Sequence, residues 1–168
     1  MLTPAEFHTA TEDMQLALLE ACQAHYRDHL VSLVIFGSVA RGTPHALSDV
    51  DLLIVARDLP DGRWNRSRDF LSVEAEVEKR VGHWRQRGWE WELSPLFKTP
   101  EEAEIGSPLF LDMVDDARLL FDPEGFFAAR LERLRQTLQR QGSRRIWTGR
   151  TWHWELKPDF QPGDRIEL

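Results

Sequence analysis

Two short apolar runs, Leu30-Val31-Ser32-Leu33-Val34-Ile35-Phe36 and Leu52-Leu53-Ile54-Val55, limit the fold of this chain most. Both are short and rich in branched side chains, and glycine or acidic residues bound them, so each is expected as a buried strand. The second is apolar at consecutive positions, which means that both of its faces are covered, as in a central strand. The first run ends at Gly37, and Asp49-Val50-Asp51 stands directly before the second. A strand over Asp49 to Ala56 therefore carries two acids to the mouth of a core. Neither run approaches the roughly 20 apolar residues needed to cross a bilayer. The N-terminal residues also lack the charged-then-apolar order of a signal peptide, so a cytoplasmic protein with no membrane contact is expected.

The flanking sequence supplies helices. Thr3-Pro4-Ala5-Glu6 has the form of a capping box with proline in the first turn, and Phe7, Ala10, Met14, Ala17, Leu18 and Ala21 then recur at helical spacing, predicting a helix to about Arg27. After the turn-rich Asp58 to Arg63, a second helix presents Phe70, Val73, Val77, Val81 and Trp84 on one side and ends near Gly88. Trp89, Trp91 and Leu93 alternate with Glu90, Glu92 and Ser94, which predicts a third strand with its acids on one face. Pro95 puts that strand at a sheet edge or at its end. A short helix between Pro100 and Asp116 and a strand over Ala117 to Phe121 follow. Asp122-Pro123 opens another helix, whose Phe127, Leu131, Leu134 and Leu138 form a stripe before the stop at Gly142. Arg144 to Thr148 and Thr151 to Leu156 read as a hairpin around Gly149-Arg150. The expected class is α/β (α+β), a mixed β-sheet backed by helices. With 168 residues the chain is expected to form one domain, with a core over about 30–122 and a C-terminal helix and hairpin over about 123–168.

Composition removes several functions. A net charge of -7 argues against a large nucleic-acid footprint, which needs a surplus of Lys and Arg on one face. The seven arginines between Arg130 and Arg150 oppose one acid, Glu132, and form either a local basic face or a solvated helix surface. One cysteine and six scattered histidines provide no disulfide and no zinc spacing, and Cys22 is expected in the core.

The chemistry concentrates in Gly37-Ser38-Val39-Ala40-Arg41-Gly42 and in Ser48-Asp49-Val50-Asp51-Leu52. A glycine at a strand end lets the backbone approach a phosphate, and the amides of the next helical turn, with the Ser38 hydroxyl, can donate to the anion. Asp49 and Asp51 stand two apart on a strand, so both project from one face with Cα atoms about 6–7 Å apart. Such a pair can share one or two Mg²⁺ ions, which bind through one or two carboxylates and substrate phosphates. A third carboxylate would complete a two-metal geometry. Glu92 is the candidate and Glu90 its substitute, with the register deciding between them.

Gly37-Ser38, ten intervening residues and Asp49-Val50-Asp51 resemble the signature of the nucleotidyltransferase superfamily, whose fold is that of DNA polymerase beta. With Ala40-Arg41-Gly42 and Ser48 before Asp49, the chain resembles the small stand-alone branch called minimal nucleotidyltransferases. The likeness covers residues 31–97 well and extends more loosely to Ser94-Pro95-Leu96, Thr99-Pro100-Glu101-Glu102 and Trp152-His153-Trp154-Glu155-Leu156-Lys157-Pro158. It implies transfer of a nucleoside monophosphate from a nucleoside triphosphate such as ATP to an acceptor hydroxyl, with release of pyrophosphate. Under that resemblance Gly37 and Ser38 bind the triphosphate and Asp49 and Asp51 ligate Mg²⁺, with Glu92 as third carboxylate in place of the aspartate of many relatives. Arg41 either neutralises a phosphate or pairs with Asp49 or Ser48. Lys98 either reaches a phosphate or is solvated.

Rival functions are fewer. Gly37 and Gly42 have the spacing of a Walker loop, but Thr43-Pro44 stands where Lys-Ser or Lys-Thr is required. A sugar-nucleotide transferase needs a larger domain around its Asp-x-Asp. A protein of this fold acting mainly as a binding partner, as antitoxin-like members of the branch do beside a helical toxin, is the serious alternative. Trp147, Trp152 and Trp154 would then supply a surface, against packing of the hairpin on the sheet. A nucleic-acid adaptor rests only on the arginine-rich helix.

Overall fold

The computed structural model describes residues 3–43, 49–149, 151–161 and 166. Helix α1 (Pro4–Tyr26) starts with the expected capping box: the Thr3 hydroxyl accepts from the Glu6 amide at 3.3 Å, and the Glu6 carboxylate accepts from the Thr3 amide at 2.8 Å. Four strands follow within one sheet: β1 (Leu30–Phe36), β2 (Val50–Ala56), β3 (Leu93–Lys98) and β4 (Arg118–Phe121). Their order is β3-β2-β1-β4, with β1 antiparallel to β2 and β4 and β3 parallel to β2, so the sheet is mixed. The two all-apolar runs are the central pair. Parallel pairing of β2 and β3 requires a crossover, supplied by α3 (Arg63–Val81), whose Phe70, Val73, Val77 and Val81 are buried.

Strand alternation divides the core in two. Leu33, Ile35, Leu52 and Ile54 pack with α1 and α3, while Val34, Phe36, Leu53 and Val55 pack on the other face with Phe110, Met113 and α5 (Phe126–Arg140). The α5 stripe of Phe127, Leu131, Leu134 and Leu138 is buried, each side chain contributing roughly 1.5–3 kcal/mol. Ser32 interrupts the first apolar run for a reason visible only in three dimensions. Its hydroxyl donates to Asp122 at 2.7 Å, and the same carboxylate accepts from the amides of Phe127 and Ala128, so Asp122 anchors the start of α5 to β1. Strands β5 (Arg144–Thr148) and β6 (Thr151–Glu155) form the expected antiparallel hairpin; Arg150 in its turn lies outside the described residues.

Four boundaries differ from expectation. The second helix, α3, stops at Val81, and a 3-10 segment over Gly82–Arg87 carries Trp84. The third strand does not include Trp89 to Glu92 but begins at Leu93, because Trp89 and Trp91 are drawn into the α1–α3 core while the chain is still approaching β2. The short helix before β4 is two pieces, α4 (Pro100–Ile105), capped by Thr99, and a 3-10 turn over Pro108–Asp112. Helix α5 begins at Phe126, with Asp122 acting from four residues upstream. Pro95 does lie in an edge strand, as its missing amide requires. No helix among the described residues is long and apolar enough to cross a membrane.

Candidate active site

The register of the central strands brings the glycine turn and the acids together. Phe36, the last residue of β1, is opposite Asp51 near the start of β2, so the turn that follows Phe36 passes directly over the Asp51 side chain. Gly37 has φ +71, and a Cβ placed on it would lie 2.1 Å from Asp51 Oδ2. A glycine is required at this point both by its left-handed backbone and by the carboxylate occupying the space. From Gly37 the chain enters α2 (Gly37–Ala40), whose first amides have no partner within the helix and no capping side chain. Ser38 is the second residue of this turn, half-buried, and Arg41 ends it.

Asp51 is half-buried and projects to the same face as Leu53 and Val55; by alternation Asp49, exposed just before β2, projects the same way. Burial and then the Asp49 charge push the Asp51 carboxyl above its ordinary value, while Arg41 acts against them and Asp112 adds to the rise. The two aspartates can hold a divalent cation between the protein and a substrate phosphate, since oxygen donors on a strand end leave the remaining coordination positions open. The Asp51 carboxylate lies close against Gly37, beside the first amides of the turn, and its oxygen donors suit a hard divalent cation.

Glu92 is placed elsewhere. Its backbone oxygen accepts from the Val50 amide at 2.8 Å, but its exposed side chain lies with Leu71, Glu74 and Arg85 in a groove beside α3. Glu90 is likewise exposed ahead of β3. Opposite Asp51 on β3 stands Ser94. No three of the described His, Cys, Asp and Glu side chains gather closely enough to hold a metal ion.

Other charged groups complete the surroundings. Arg41 lies 4.0 Å from Asp116, not on Asp49, and Ser48 is outside the described residues. Asp116 also accepts from Arg145 of β5 at 3.2 Å, and the Arg145 guanidinium stacks 4.3 Å from the centre of the Trp152 ring and 5.4 Å from that of Trp154. The hairpin is thereby tied to the glycine turn through one carboxylate, and Trp152 and Trp154 serve that packing, while Trp147 is exposed. The acids of residues 112–116 and Arg145 carry no local signature; only the acidic bias of that stretch marks them in the sequence. On the other side of Asp51 a cleft of ≈ 520 Å³ runs along β3 past Ser94 and Leu96 to Lys98, walled by Phe36, Leu109 and the start of α3.

The chain is similar to several known proteins. The family model described as nucleotidyltransferase domain matches residues 17–118. A Methanocaldococcus jannaschii protein named as a candidate protein adenylyltransferase is 31% identical over 124 residues, 73% of this chain and 79% of that protein. A bifunctional uridylyltransferase/uridylyl-removing enzyme of Vibrio campbellii is 31% identical over 105 residues, which is 60% of this chain and only 11% of the enzyme. Among solved structures, a toxin-antitoxin with AMP-PNP is similar at TM-score 0.43 and 19% identity, covering 75% of this chain and 90% of that one. A Shewanella oneidensis protein is similar at TM-score 0.42 and 14% identity, covering 76% and 87%.

Proposed function

Because the chain belongs to the nucleotidyltransferase domain family, we propose that it is a Mg²⁺-dependent enzyme that transfers AMP from ATP to a hydroxyl group of another protein. The observation that supports this reading is the close approach of Asp51 to Gly37, which sets an acid suited to a metal beside a turn suited to a phosphate. Adenylyl transfer and a protein acceptor are suggested by the name of the Methanocaldococcus relative, most of whose length the chain covers.

In this reading the amides after Gly37 and the Ser38 hydroxyl hold the β- and γ-phosphates, and Arg41 turns from Asp116 toward the same anion. Asp49 and Asp51 would hold Mg²⁺, without Glu92 in its observed position. When bound there, the metal would supply neutralisation of the charge that develops on the phosphates. The acceptor oxygen bonds to the α-phosphorus and the α–β phosphoanhydride breaks. Pyrophosphate leaves with the bridging oxygen, and the hydroxyl proton passes to solvent. Drawing on ATP and Mg²⁺, the reaction belongs in the cytoplasm. A single domain is supported by α5, whose buried stripe packs on the second face of the sheet that carries the acids.

The test is incubation of the protein with cell extract, Mg²⁺ and each of the four α-phosphate-labelled nucleoside triphosphates. Label should pass from ATP to a protein band with wild type and not with Asp51→Asn. Equal labelling by the two proteins removes catalysis from this site.

A further inference from the structure

We propose that the cleft along β3 is the acceptor's binding site and that it takes an acidic, partly apolar segment of another protein chain. The inference rests on the transfer reaction proposed above and names its substrate class.

Direction comes first. Asp51 lies between Phe36 of β1 and Ser94 of β3 in the strand register. The phosphate-binding turn continues from β1, so the triphosphate tail, which leaves as pyrophosphate, lies on the β1 side. In-line displacement brings the nucleophile from the opposite side of the α-phosphorus. That side is β3, where the ≈ 520 Å³ cleft has Asp51 as one of its walls.

Charge and apolar surface then define the occupant. Away from Asp51 the charged lining of the cleft is Arg63, Arg66, Lys98 and Glu102. Arg66 is consumed by a two-pronged pair with Glu102, at 2.6 and 2.9 Å, and donates to the Pro60 carbonyl. Among the described residues neither Arg63 nor Lys98 forms an ion pair within 4.0 Å, and Lys98 acts only at longer range on Glu102, which Arg66 already holds, so in a protein of net charge -7 two cations face this cleft. Apolar surface belongs to the cleft as well: Phe36, Leu96 and Leu109 line it, Leu109 is 44% exposed, and Trp64, next in the chain to Arg63, is 78% exposed. Tryptophan and arginine beside exposed aliphatic residues characterise surfaces that anchor protein segments. A hydroxyl-bearing side chain of that segment extends to the α-phosphorus at Asp51, and its Asp or Glu neighbours pair with Lys98 and Arg63. The bond changes are those given above, with the segment's oxygen forming the new P–O bond and its proton passing to solvent.

The test uses the full chain with Mg²⁺, a non-hydrolysable ATP analogue and three fluorescent probes: a random glutamate–tyrosine copolymer, a lysine–tyrosine copolymer and a single-stranded RNA. Anisotropy should show at least tenfold tighter binding of the glutamate–tyrosine polymer than of either other probe. Arg63→Glu/Lys98→Glu should remove that preference, and Arg63→Gln/Lys98→Gln should weaken it in the same direction; the exposed Arg63 heads a helix, where glutamate is well tolerated. With MgATP in place of the analogue, AMP should appear on the tyrosines of the preferred polymer. Failure of wild type to bind the glutamate–tyrosine polymer, an unchanged preference in both double variants, or tighter binding of RNA overturns the inference. Loss of nucleotide binding in both double variants also overturns it, since the cleft would then hold ATP. Calorimetric titration of wild type with MgATP separates the two levels: no nucleotide binding there defeats the transferase reading, whereas nucleotide binding without polymer binding defeats only the acceptor site.

Discussion

Replacing Gly37 with alanine tests the joint between the phosphate turn and the metal-binding acid. Alanine at φ +71 costs about 1–2 kcal/mol for the left-handed backbone. Moving the Asp51 oxygen from 2.1 Å to an ordinary contact of 3.4 Å displaces the carboxylate by about 1.3 Å. A misplacement of that size costs on the order of 100-fold in rate. The backbone cost alone lowers the melting temperature by about 2–8 °C in a chain of this length. Gly42→Ala separates the two effects, because Gly42 has the same φ of +71 but nothing within 4 Å of a Cβ. Both variants should melt early by similar amounts in a calorimetric scan. Only Gly37→Ala should lose about two orders of magnitude in initial rate of label transfer from α-phosphate-labelled ATP to the extract acceptor, while Gly42→Ala stays within a few-fold of wild type. Equal rates for the two variants would refute the reasoning, because they would mean that the position of the Asp51 carboxylate at Gly37 has no part in the chemistry.

Other perturbations probe separate links. Asp122→Ala removes the anchor of α5 and leaves the buried Ser32 hydroxyl without its acceptor, so it should destabilise the fold by about 2–4 kcal/mol in urea unfolding, whereas a loss under about 1 kcal/mol would show the anchor to be incidental. Burial pushes the Cys22 thiol up to about 12 and raises the Tyr26 hydroxyl too, so the folded state keeps protons that the unfolded chain releases above about pH 9. Stability from these groups is therefore intact below pH 9 and declines toward pH 12; urea midpoints from pH 8 to 11 should fall more steeply for wild type than for Cys22→Ala, and parallel slopes would contradict this. Glu92→Gln should alter the transfer rate by less than about threefold, given its place beside Glu74; a loss comparable to that of Asp51→Asn would mean the segment before β3 rearranges to bring it in.

The parts of this architecture that local chemistry determines are visible in the residues themselves. The Thr3–Glu6 box, the two central strands, the α5 stripe and the hairpin each depend on neighbours a few positions apart, and all form where expected. The glycine turn and the acids are recognisable for the same reason, although their contact depends on the Phe36–Asp51 register. Glu92 shows the limit of such reading. Alternation with Trp91 and Leu93 suggests a strand, but where a parallel edge strand begins is set by its partner β2 and by the burial of two tryptophans between α1 and α3. The pairing of Asp116 with Arg145, the support of Ser32 by Asp122 and the cleft between β3 and α3 join residues far apart in the chain, and no local spacing announces them.

The central claim, that Asp49, Asp51 and the Gly37–Ser38 turn act on one metal–triphosphate group, is tested most directly by calorimetric titration with ATP in the presence and absence of Mg²⁺. Wild type should bind ATP at least tenfold more tightly with the metal than without it. Asp49→Asn/Asp51→Asn should bind it equally in both conditions, and Ser38→Ala should weaken binding while keeping the metal effect. Tight, metal-enhanced ATP binding by the double asparagine variant would contradict the account.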